Sequence, residues 1–452
     1  MAFNKVHPLA SNTSFGGYQF LARLDAGGMA EIFIAREVGS TADELLVIKR
    51  LHPHVARHPQ LVQMFLDEAR IASTLDHPNI VNIHNVGAIA DQYFLSMDYL
   101  LGFDLAKVCE RLWRSQVEVP LNLTLHVIDR VLDALSYAHE KIGSDGTPLG
   151  IVHRDVSPHN IFVSFDGDVK LLDFGVAKAA NALHHTKTGA LVGKVSYMSP
   201  EQCRSARIDN RSDLFSLGIV LYELTTGRRL YSTKKLGEFE VLRQICDEPV
   251  KRPSELRRNY PQPIEDIVLK ALEKEPENRF NTADDMSRSL RNAGEELGLE
   301  LSREKLVEFV NERFSSEIKA AQGERERLKA AAAGKEPFSP LSGITPSGSF
   351  PTGRSLTPSR SSAVSAQRTE DDGLAEEWDV ETQQLARPTS SRRRKAESRV
   401  QKVEWKPLPH DPSPHSVDAE APTRIDLRSK LVLALAVGVI VLAATVALLW
   451  LL

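Results

Sequence analysis

The feature that most constrains this chain is a pair of polar loops separated by a short apolar stretch. The first reads Ile-Val-His-Arg-Asp-Val-Ser-Pro-His-Asn over residues 151–160, and an Asp-Phe-Gly sequence follows at residues 173–175, no further away than one β-hairpin. This spacing gathers Asp155, which can accept a proton from a hydroxyl group, with Asn160 and Asp173. The two loops therefore predict one site for a magnesium nucleotide.

Charge and cysteine usage narrow the class of protein. The 56 Lys and Arg residues against 60 Asp and Glu residues give a net charge of -4, which argues against nucleic acid as a partner. The three cysteines have neither metal-ligand nor disulfide-framework spacing, so a reducing compartment is expected. Polar residues interrupt the first twenty positions, and we therefore expect no signal peptide.

Composition divides the chain into a folded domain and several flanking segments. Along residues 295–334, Leu306, Val310, Phe314 and Ile318 recur every four positions, which predicts a short amphipathic helix docked on the domain. Ser, Pro, Thr and Arg dominate the segment that follows, and this composition is typical of disorder. The predicted boundaries are 1–17 for an N-terminal extension, 18–294 for the domain, 295–334 for the helical extension, 335–430 for the linker and 431–452 for a transmembrane helix.

Residues 431–452 have the composition of a membrane-spanning helix. They contain no charged residue, and 22 residues at about 1.5 Å each span roughly 33 Å, the thickness of a bilayer core. Arg424, Arg428 and Lys430 precede them, so the positive-inside rule places the domain in the cytoplasm. We expect a single-pass anchor without an external sensor, because no residue follows Leu452. A buried helix of a soluble domain is the alternative.

A glycine-containing turn lies near the start of the predicted domain. Residues 18–24 and 32–35 read as strands, and Gly27 and Gly28 lie between them. Because glycine lets the backbone approach a ligand closely, this hairpin can cover phosphates. An ordinary glycine-rich hairpin is the alternative for this motif taken alone.

Together these motifs resemble the eukaryotic-like, or Hanks-type, serine/threonine protein kinases of bacteria over about residues 18–290. The resemblance implies an α+β, two-lobed kinase fold with a small antiparallel β lobe, one key helix and a large, mainly helical lobe. It also implies that ATP binds between the lobes with Mg²⁺, or with Mn²⁺ as an alternative.

The resemblance gives each site residue an expected role. Lys49 would hold the α- and β-phosphates and pair with Glu68 on the key helix. Asp155 would orient and deprotonate the acceptor hydroxyl, while Asn160 and Asp173 would bind the metal ions. The expected ATP-binding residues are Leu24, Gly27, Gly28, Ile32, Val47, Lys49, Met97, Asp98, Leu100 and Phe162, the last as the floor under adenine. The expected structural residues are Arg154, Glu201, Asp213 and Arg279.

Two residues depart from the family pattern in the same small space. These kinases usually carry a Lys two residues after the catalytic Asp, where this chain has Ser157, and a Thr in the substrate-docking turn, where it has Lys194. We interpret the pair as an exchange, in which Lys194 supplies the positive charge near the transferred phosphate and Ser157 supplies the hydroxyl. In the alternative reading, Lys194 faces solvent and the site is weakened.

Arg154 is a basic residue that in this family commonly requires an anionic partner in the activation segment. In this chain the activation segment follows Asp-Phe-Gly and closes at Glu201. Thr186 and Thr188 are placed to become that partner when phosphorylated, which predicts activation by autophosphorylation in trans. A homodimer is one arrangement that would allow this reaction. Loop threonines without a role are the alternative.

The sequence thus predicts an enzyme that transfers the γ-phosphate of Mg-ATP to Ser or Thr hydroxyls of protein substrates. We expect it at the plasma (inner) membrane, with the kinase domain cytoplasmic. The alternative is a membrane-tethered pseudokinase scaffold that binds nucleotide or partners without transfer. Asp25 and Ala30, which replace two family glycines, favour the scaffold together with Ser157, whereas the five polar site residues favour the enzyme.

Overall fold

The computed structural model describes residues 7–40, 44–174, 195–232 and 237–333, with side chains from residue 13 onward. The predicted linker and membrane helix lie outside these residues, as do Thr186, Thr188 and Lys194. Within the described residues, no helix combines the length and the apolar character that a membrane crossing requires.

The small lobe is a six-stranded antiparallel sheet with one helix. The strand order is β1-β2-β3-β4-β6-β5. The elements are β1 His7–Phe15, β2 Tyr18–Ala26, β3 Ala30–Glu37, β4 Leu46–Leu51, α1 Pro59–Ala72, β5 Ile83–Ile89 and β6 Gln92–Asp98. One face buries the rings of Phe15, Phe20, Phe33 and Phe94. Aliphatic side chains of the strands pack against α1, as period-two alternation predicts. The predicted extension 1–17 therefore contributes an edge strand to the sheet.

The large lobe is built around helices, with a small three-stranded sheet beside the cleft. Its elements are β7 Gly102–Asp104, α2 Leu105–Arg114, α3 Leu121–His139, β8 Ile161–Ser164, β9 Val169–Leu171, α4 Pro200–Cys203, α5 Asn210–Thr226, α6 Glu238–Asp247, α7 Pro253–Leu256, α8 Gln262–Ala271 and α9 Ala283–Glu296. Helix α5 is buried from Ser212 to Thr226, so it forms the centre of the lobe. Asp209 caps its first turn, and Gly227 ends it in the left-handed conformation at φ 69°. The two lobes and the sheet confirm the predicted kinase fold.

The segment 295–334 contains one long helix. Helix α10, Arg303–Ala332, has 30 residues and departs from helical geometry at Phe314, where φ is -124° and ψ is 23°. The four residues that recur in the sequence, Leu306, Val310, Phe314 and Ile318, are buried in the large-lobe core. The helix therefore docks on the domain as the pattern predicts, and it continues well beyond the pattern.

A buried ion pair in the large lobe joins α4 to the segment before α9. Arg279 Nη1 and Nη2 donate to the two carboxylate oxygens of Glu201 at 2.7 and 2.8 Å. The remaining donors of Arg279 reach backbone carbonyls, and Ser212 donates to Glu201. Burial by itself raises the pKa of Glu201, but the bonds from Arg279 and Ser212 outweigh burial and lower it. The pair is thus fully hydrogen-bonded, which is the condition under which a buried ion pair can persist.

We expect Arg279→Met to lower the free energy of unfolding by about 3–5 kcal/mol, because it leaves the Glu201 carboxylate buried without its cation. The matched control is Arg288→Met, which removes an ion pair with Asp284 whose side chains are 63% and 61% exposed, and we expect it to cost about 0–1 kcal/mol. Denaturant unfolding measures both.

The difference in free energy of unfolding between wild type and Arg279→Met should decrease at acidic pH. A lowered carboxyl pKa gives stability that is present above the unfolded pKa and is lost as pH falls through the folded pKa. Equal losses in the two variants at neutral pH would contradict the structural role of Arg279.

Candidate active site

The cleft between the lobes contains an apolar cavity. It is lined by Leu24, Val47, Val81, Met97, Asp98, Tyr99, Leu100 and Leu172. Five of these side chains belong to the predicted ATP-binding set. Phe162, expected as the adenine floor, lies on β8 and is fully buried in a core cluster that it shares with small-lobe residues. Leu172, from the same cluster, lines the cavity. The apolar walls of the cavity lie next to residues 99–101, which join β6 to β7 and form the hinge between the lobes, and they suit a purine ring.

The glycine turn lies at the tip of the β2–β3 hairpin. Gly27 N donates to Ala30 O at 3.0 Å, and His52 Nε2 lies 2.8 Å from Gly27 O. A Cβ added to Gly28 would meet no atom within 4 Å, so the turn leaves open space for a ligand. Ile32, on the strand that follows, lies opposite Lys49 in the β3–β4 register.

Lys49 connects three elements of the site. Its Nζ lies 3.4 Å from Glu68 Oε1 on α1 and 3.1 Å from Asp173 Oδ1 in the large lobe. Burial by itself lowers the pKa of Lys49, but the carboxylates of Asp173 and Glu68 outweigh it and hold the pKa well above its usual range. The ammonium group is therefore a fixed positive charge at neutral pH.

The polar loop of residues 151–160, which carries Asp155, is held by one buried carboxylate, that of Asp213. Asp213 Oδ2 accepts from His153 N at 2.8 Å, and Asp213 Oδ1 accepts from Arg154 N at 2.7 Å. His139 Nε2 lies 2.9 Å from Asp213 Oδ2. Arg154 has φ 65°, an unusual value for a residue with a side chain. Asp213, on the buried helix α5, therefore stabilises a strained loop next to Asp155.

Asn160 and Asp173 provide side-chain oxygen atoms that can coordinate a metal ion. Asn160 Nδ2 donates to Asp155 O at 2.8 Å and to Asp155 Oδ2 at 2.7 Å. Because the amide nitrogen is engaged, the amide oxygen remains to accept or to coordinate. An amide oxygen and a carboxylate suit Mg²⁺, which is usually bound through one or two carboxylates, with phosphates and water completing its shell. The donor set therefore fits magnesium carried by a nucleotide.

The remaining predicted residues lie around the same loop. Ser157 is 7% exposed and accepts from Asn160 N at 3.0 Å through its carbonyl. Arg154 O accepts from Gln202 Nε2 at 2.9 Å, and among the described residues Arg154 Nε is buried without a hydrogen-bond partner. Lys194, Thr186 and Thr188 lie outside the described residues, so neither the proposed exchange nor the phosphorylated partner is tested.

Sequence reasoning missed several residues of the site. Val81 and Leu172 line the cavity, and His139 contacts Asp213. Leu172 could have been found from its position directly before Asp173. No local signal distinguishes His139 from any other histidine at the end of a helix.

Comparisons with known proteins agree with this geometry. A family model of the protein kinase domain matches residues 18–289. The chain is 42% identical over 271 residues to the tyrosine-protein kinase MasK of Myxococcus xanthus, covering 60% of this chain and 42% of MasK. It is 35% identical over 280 residues to the serine/threonine-protein kinase PrkC of Bacillus subtilis, covering 62% of this chain and 40% of PrkC. The match thus spans about two fifths of the length of these relatives.

Among solved structures, the kinase domain of Mycobacterium tuberculosis PknI is similar to this chain with a TM-score of 0.48 and 24% sequence identity. It covers 63% of this chain and 99% of the PknI chain.

Proposed function

The chain belongs to the protein kinase family, and we propose that it transfers the γ-phosphate of ATP to hydroxyl groups of proteins. The observation that carries the proposal is the position of Lys49, whose ammonium lies between Glu68 and Asp173. Asp155 and Asn160 are hydrogen-bonded to each other on the other side of the cleft. This arrangement supplies the positive charge, the metal ligands and the proton acceptor that phosphoryl transfer requires.

Each residue has a defined task in this proposal. Lys49 binds and orients the α- and β-phosphates, and Asn160 and Asp173 hold magnesium. When bound, Mg²⁺ offsets the charge that develops on the transferred group. Asp155 orients the acceptor hydroxyl and accepts its proton at a carboxylate oxygen, while the bond from Asn160 Nδ2 fixes that carboxylate.

We propose Ser and Thr as the acceptor residues. The names of PrkC of Bacillus subtilis and Pkn1 of Myxococcus xanthus, which is 36% identical over 272 residues, favour this class. The turn that contains Tyr197 and Met198 also resembles that of Ser/Thr kinases. Tyrosine is the second candidate, because the relative at 42% identity is named a tyrosine-protein kinase and Lys194 replaces the usual Thr.

A tethered pseudokinase remains the alternative from another class. Asp25, Ala30 and Ser157 replace residues that usually serve the nucleotide, and they favour it. The ion pair of Lys49 with Asp173 and the contact of Asn160 with Asp155 speak against it. A scaffold needs none of these groups to bind a partner, whereas a phosphotransferase needs the cation, the metal ligands and the proton acceptor that these contacts place together.

We expect the full-length chain, incubated with Mg-ATP, to gain phosphate by intact mass. Asp155→Asn, which keeps the size of the side chain and removes the proton acceptor, should reduce the rate by about 10²-fold or more. Phosphoamino-acid analysis should find phosphoserine and phosphothreonine, with sites at Thr186 and Thr188. Phosphotyrosine alone would favour the second acceptor class, and no phosphate with retained nucleotide binding would favour the scaffold.

We further propose that Lys194 and Ser157 have exchanged the roles of a family Lys and Thr. Ser157→Lys should lower the rate because it adds a second ammonium group, and Lys194→Thr should lower it by about 10²-fold because it removes a charge near the transferred phosphate. The double variant should recover activity, since it restores the family arrangement. Rates for the three variants and wild type under single-turnover conditions measure the coupling. Unimpaired single variants, or a double variant without recovery, would exclude the exchange.

We also propose that residues 431–452 anchor the chain in the plasma (inner) membrane with the kinase domain cytoplasmic. Their uncharged composition and the preceding Arg424, Arg428 and Lys430 support this. The full-length chain should stay in the membrane fraction through alkaline carbonate extraction. A variant carrying Val439→Arg and Leu442→Arg should be released, because charges at the bilayer centre are costly. Extraction of wild type by carbonate would contradict the anchor.

A further inference from the structure

Helix α10 contacts both lobes of the kinase domain. Its first part buries Leu306, Val310, Phe314, Ile318 and Ala321 in the large-lobe core. Its last part buries Leu328 and Ala332, at 0% and 1% exposure, in the small-lobe core. The helix also contacts strand β2 directly. The hinge is therefore accompanied by a second connection between the lobes.

The large-lobe end of α10 contacts the hairpin that lies between the two metal-site residues. Arg303 Nη2 lies 2.9 Å from Asp168 Oδ1 in the β8–β9 turn. Gly167 in that turn has φ 83°, and an added Cβ would lie 2.7 Å from Val307 Cγ2 on the helix. Real Cβ atoms essentially never lie so close to another heavy atom, so only glycine fits between the turn and the helix without a shift. Because the β8–β9 hairpin separates Asn160 from Asp173, α10 begins on the element that positions both metal-site residues.

Two further contacts hold the middle of the helix on the large lobe. The rings of Phe103 and Phe314 pack with centroids 5.5 Å apart. Arg111 Nη2 lies 3.0 Å from Glu317 Oε1. The non-helical φ and ψ at Phe314 fall just before Ser315 and Ser316, a residue type that accompanies helix kinks. Beyond the kink, residues 315–332 cover roughly 27 Å at about 1.5 Å per residue, enough to reach the small lobe.

The second part of α10 carries charged residues that influence Tyr99 in the cavity. Tyr99, which lines the adenine cavity, is mostly buried, and burial together with the nearby carboxylate of Glu324 raises the pKa of its phenol. Burial also raises the pKa of Glu324 itself. Charged groups of the helix are therefore within electrostatic range of a residue that lines the cavity.

The small-lobe end of α10 packs in the same core as β2, the strand that leads into the glycine turn. Leu328 and Ala332 belong to the same core cluster as Leu21 and Leu24 of β2. Leu24 lines the adenine cavity, and β2 leads directly into the glycine turn. A small lobe that rotates away from the large lobe has to withdraw Leu328 from this core and expose it to water, which is unfavourable.

We propose that α10 is a strut between the lobes, and that Leu328 and Ala332 are positioning residues which hold β2 over bound ATP. The inference rests on the proposed function, because it assigns ATP to the cleft. It goes beyond that function by placing a determinant of nucleotide affinity outside the cleft, on a helix that follows the kinase domain in sequence. The helix acts by keeping the binding-competent arrangement of the lobes populated.

The test compares two variants of the full-length chain that introduce the same charge into one helix. Leu328→Glu places a carboxylate in the small-lobe core, whereas Gln322→Glu places it at an exposed position of α10. Isothermal titration calorimetry with a non-hydrolysable Mg-ATP analogue gives the dissociation constant. Steady-state kinetics give KM for ATP, KM for a protein substrate and kcat.

We expect Leu328→Glu to raise both the dissociation constant of the analogue and KM for ATP about tenfold, because about one tenth of the molecules would keep β2 in place. Gln322→Glu should stay within about twofold of wild type, since it leaves the buried contact intact. At saturating ATP, kcat and KM for the protein substrate should change little in Leu328→Glu. Amide hydrogen exchange should accelerate in β2 and not in α5. A residue that only stabilises the fold would lower the melting temperature without this split between KM and kcat.

A second variant keeps the test decisive if Leu328→Glu does not fold. Leu328→Ala removes the buried side chain without adding charge, and it should weaken analogue binding at least threefold. Analogue affinity equal to that of Gln322→Glu in every folded Leu328 variant would overturn the strut. Binding of the analogue without phosphoryl transfer in wild type would refute only the proposed function, because the affinity comparison requires no catalysis.

Discussion

The site depends on one buried carboxylate, that of Asp213. It accepts the backbone N–H groups of His153 and Arg154 at 2.8 and 2.7 Å, and it lies on a helix that is buried along almost its whole length. Arg154 adopts φ 65°, a conformation that a non-glycine residue holds only when its surroundings stabilise it. The two hydrogen bonds supply that stabilisation, and they thereby fix the direction in which Asp155, the next residue, leaves the loop. The core of the large lobe thus determines the position of the proposed proton acceptor.

The two lobes share the site, so its geometry requires contacts that cross the cleft. Lys49 belongs to the small-lobe sheet and contacts Asp173 of the large lobe, while His153 Nε2 lies 2.9 Å from Leu172 O, directly before Asp173. The first contact joins the small-lobe cation to a metal-site residue of the large lobe, and the second joins the segment before that residue to the loop that carries Asp155. In a partly buried site such pairs are stronger than on the surface, because water screens them less. A displacement of either lobe therefore changes several charges of the site together.

The fold could be predicted because its motifs are local and their spacing is specific. The apolar strand ending in Lys49, the helix carrying Glu68 and the hairpin between Asn160 and Asp173 are each readable within a few residues, and the structure brings all four side chains to one cleft. The edge strand His7–Phe15 could not be predicted, since its pairing with β2 comes from the partner strand and not from an apolar pattern of its own. The contact of the far end of α10 with the small-lobe core could not be predicted for a similar reason. Leu328 is an isolated leucine among Arg, Lys, Glu and Ala residues, and its packing partners lie about 300 positions earlier in the chain.

The strut changes how signals could reach this site. In a kinase whose lobes are joined by the hinge alone, the chain after the large lobe has no direct contact with the nucleotide-covering strands. Here the last turn of α10 lies in the small-lobe core, and the chain continues from Ala333 toward the proposed membrane anchor. A change that displaces Leu328 and Ala332 would act through this contact on β2 and the glycine turn. Because the contact buries few side chains, a modest free energy would shift it, and the cost would appear as weaker nucleotide binding.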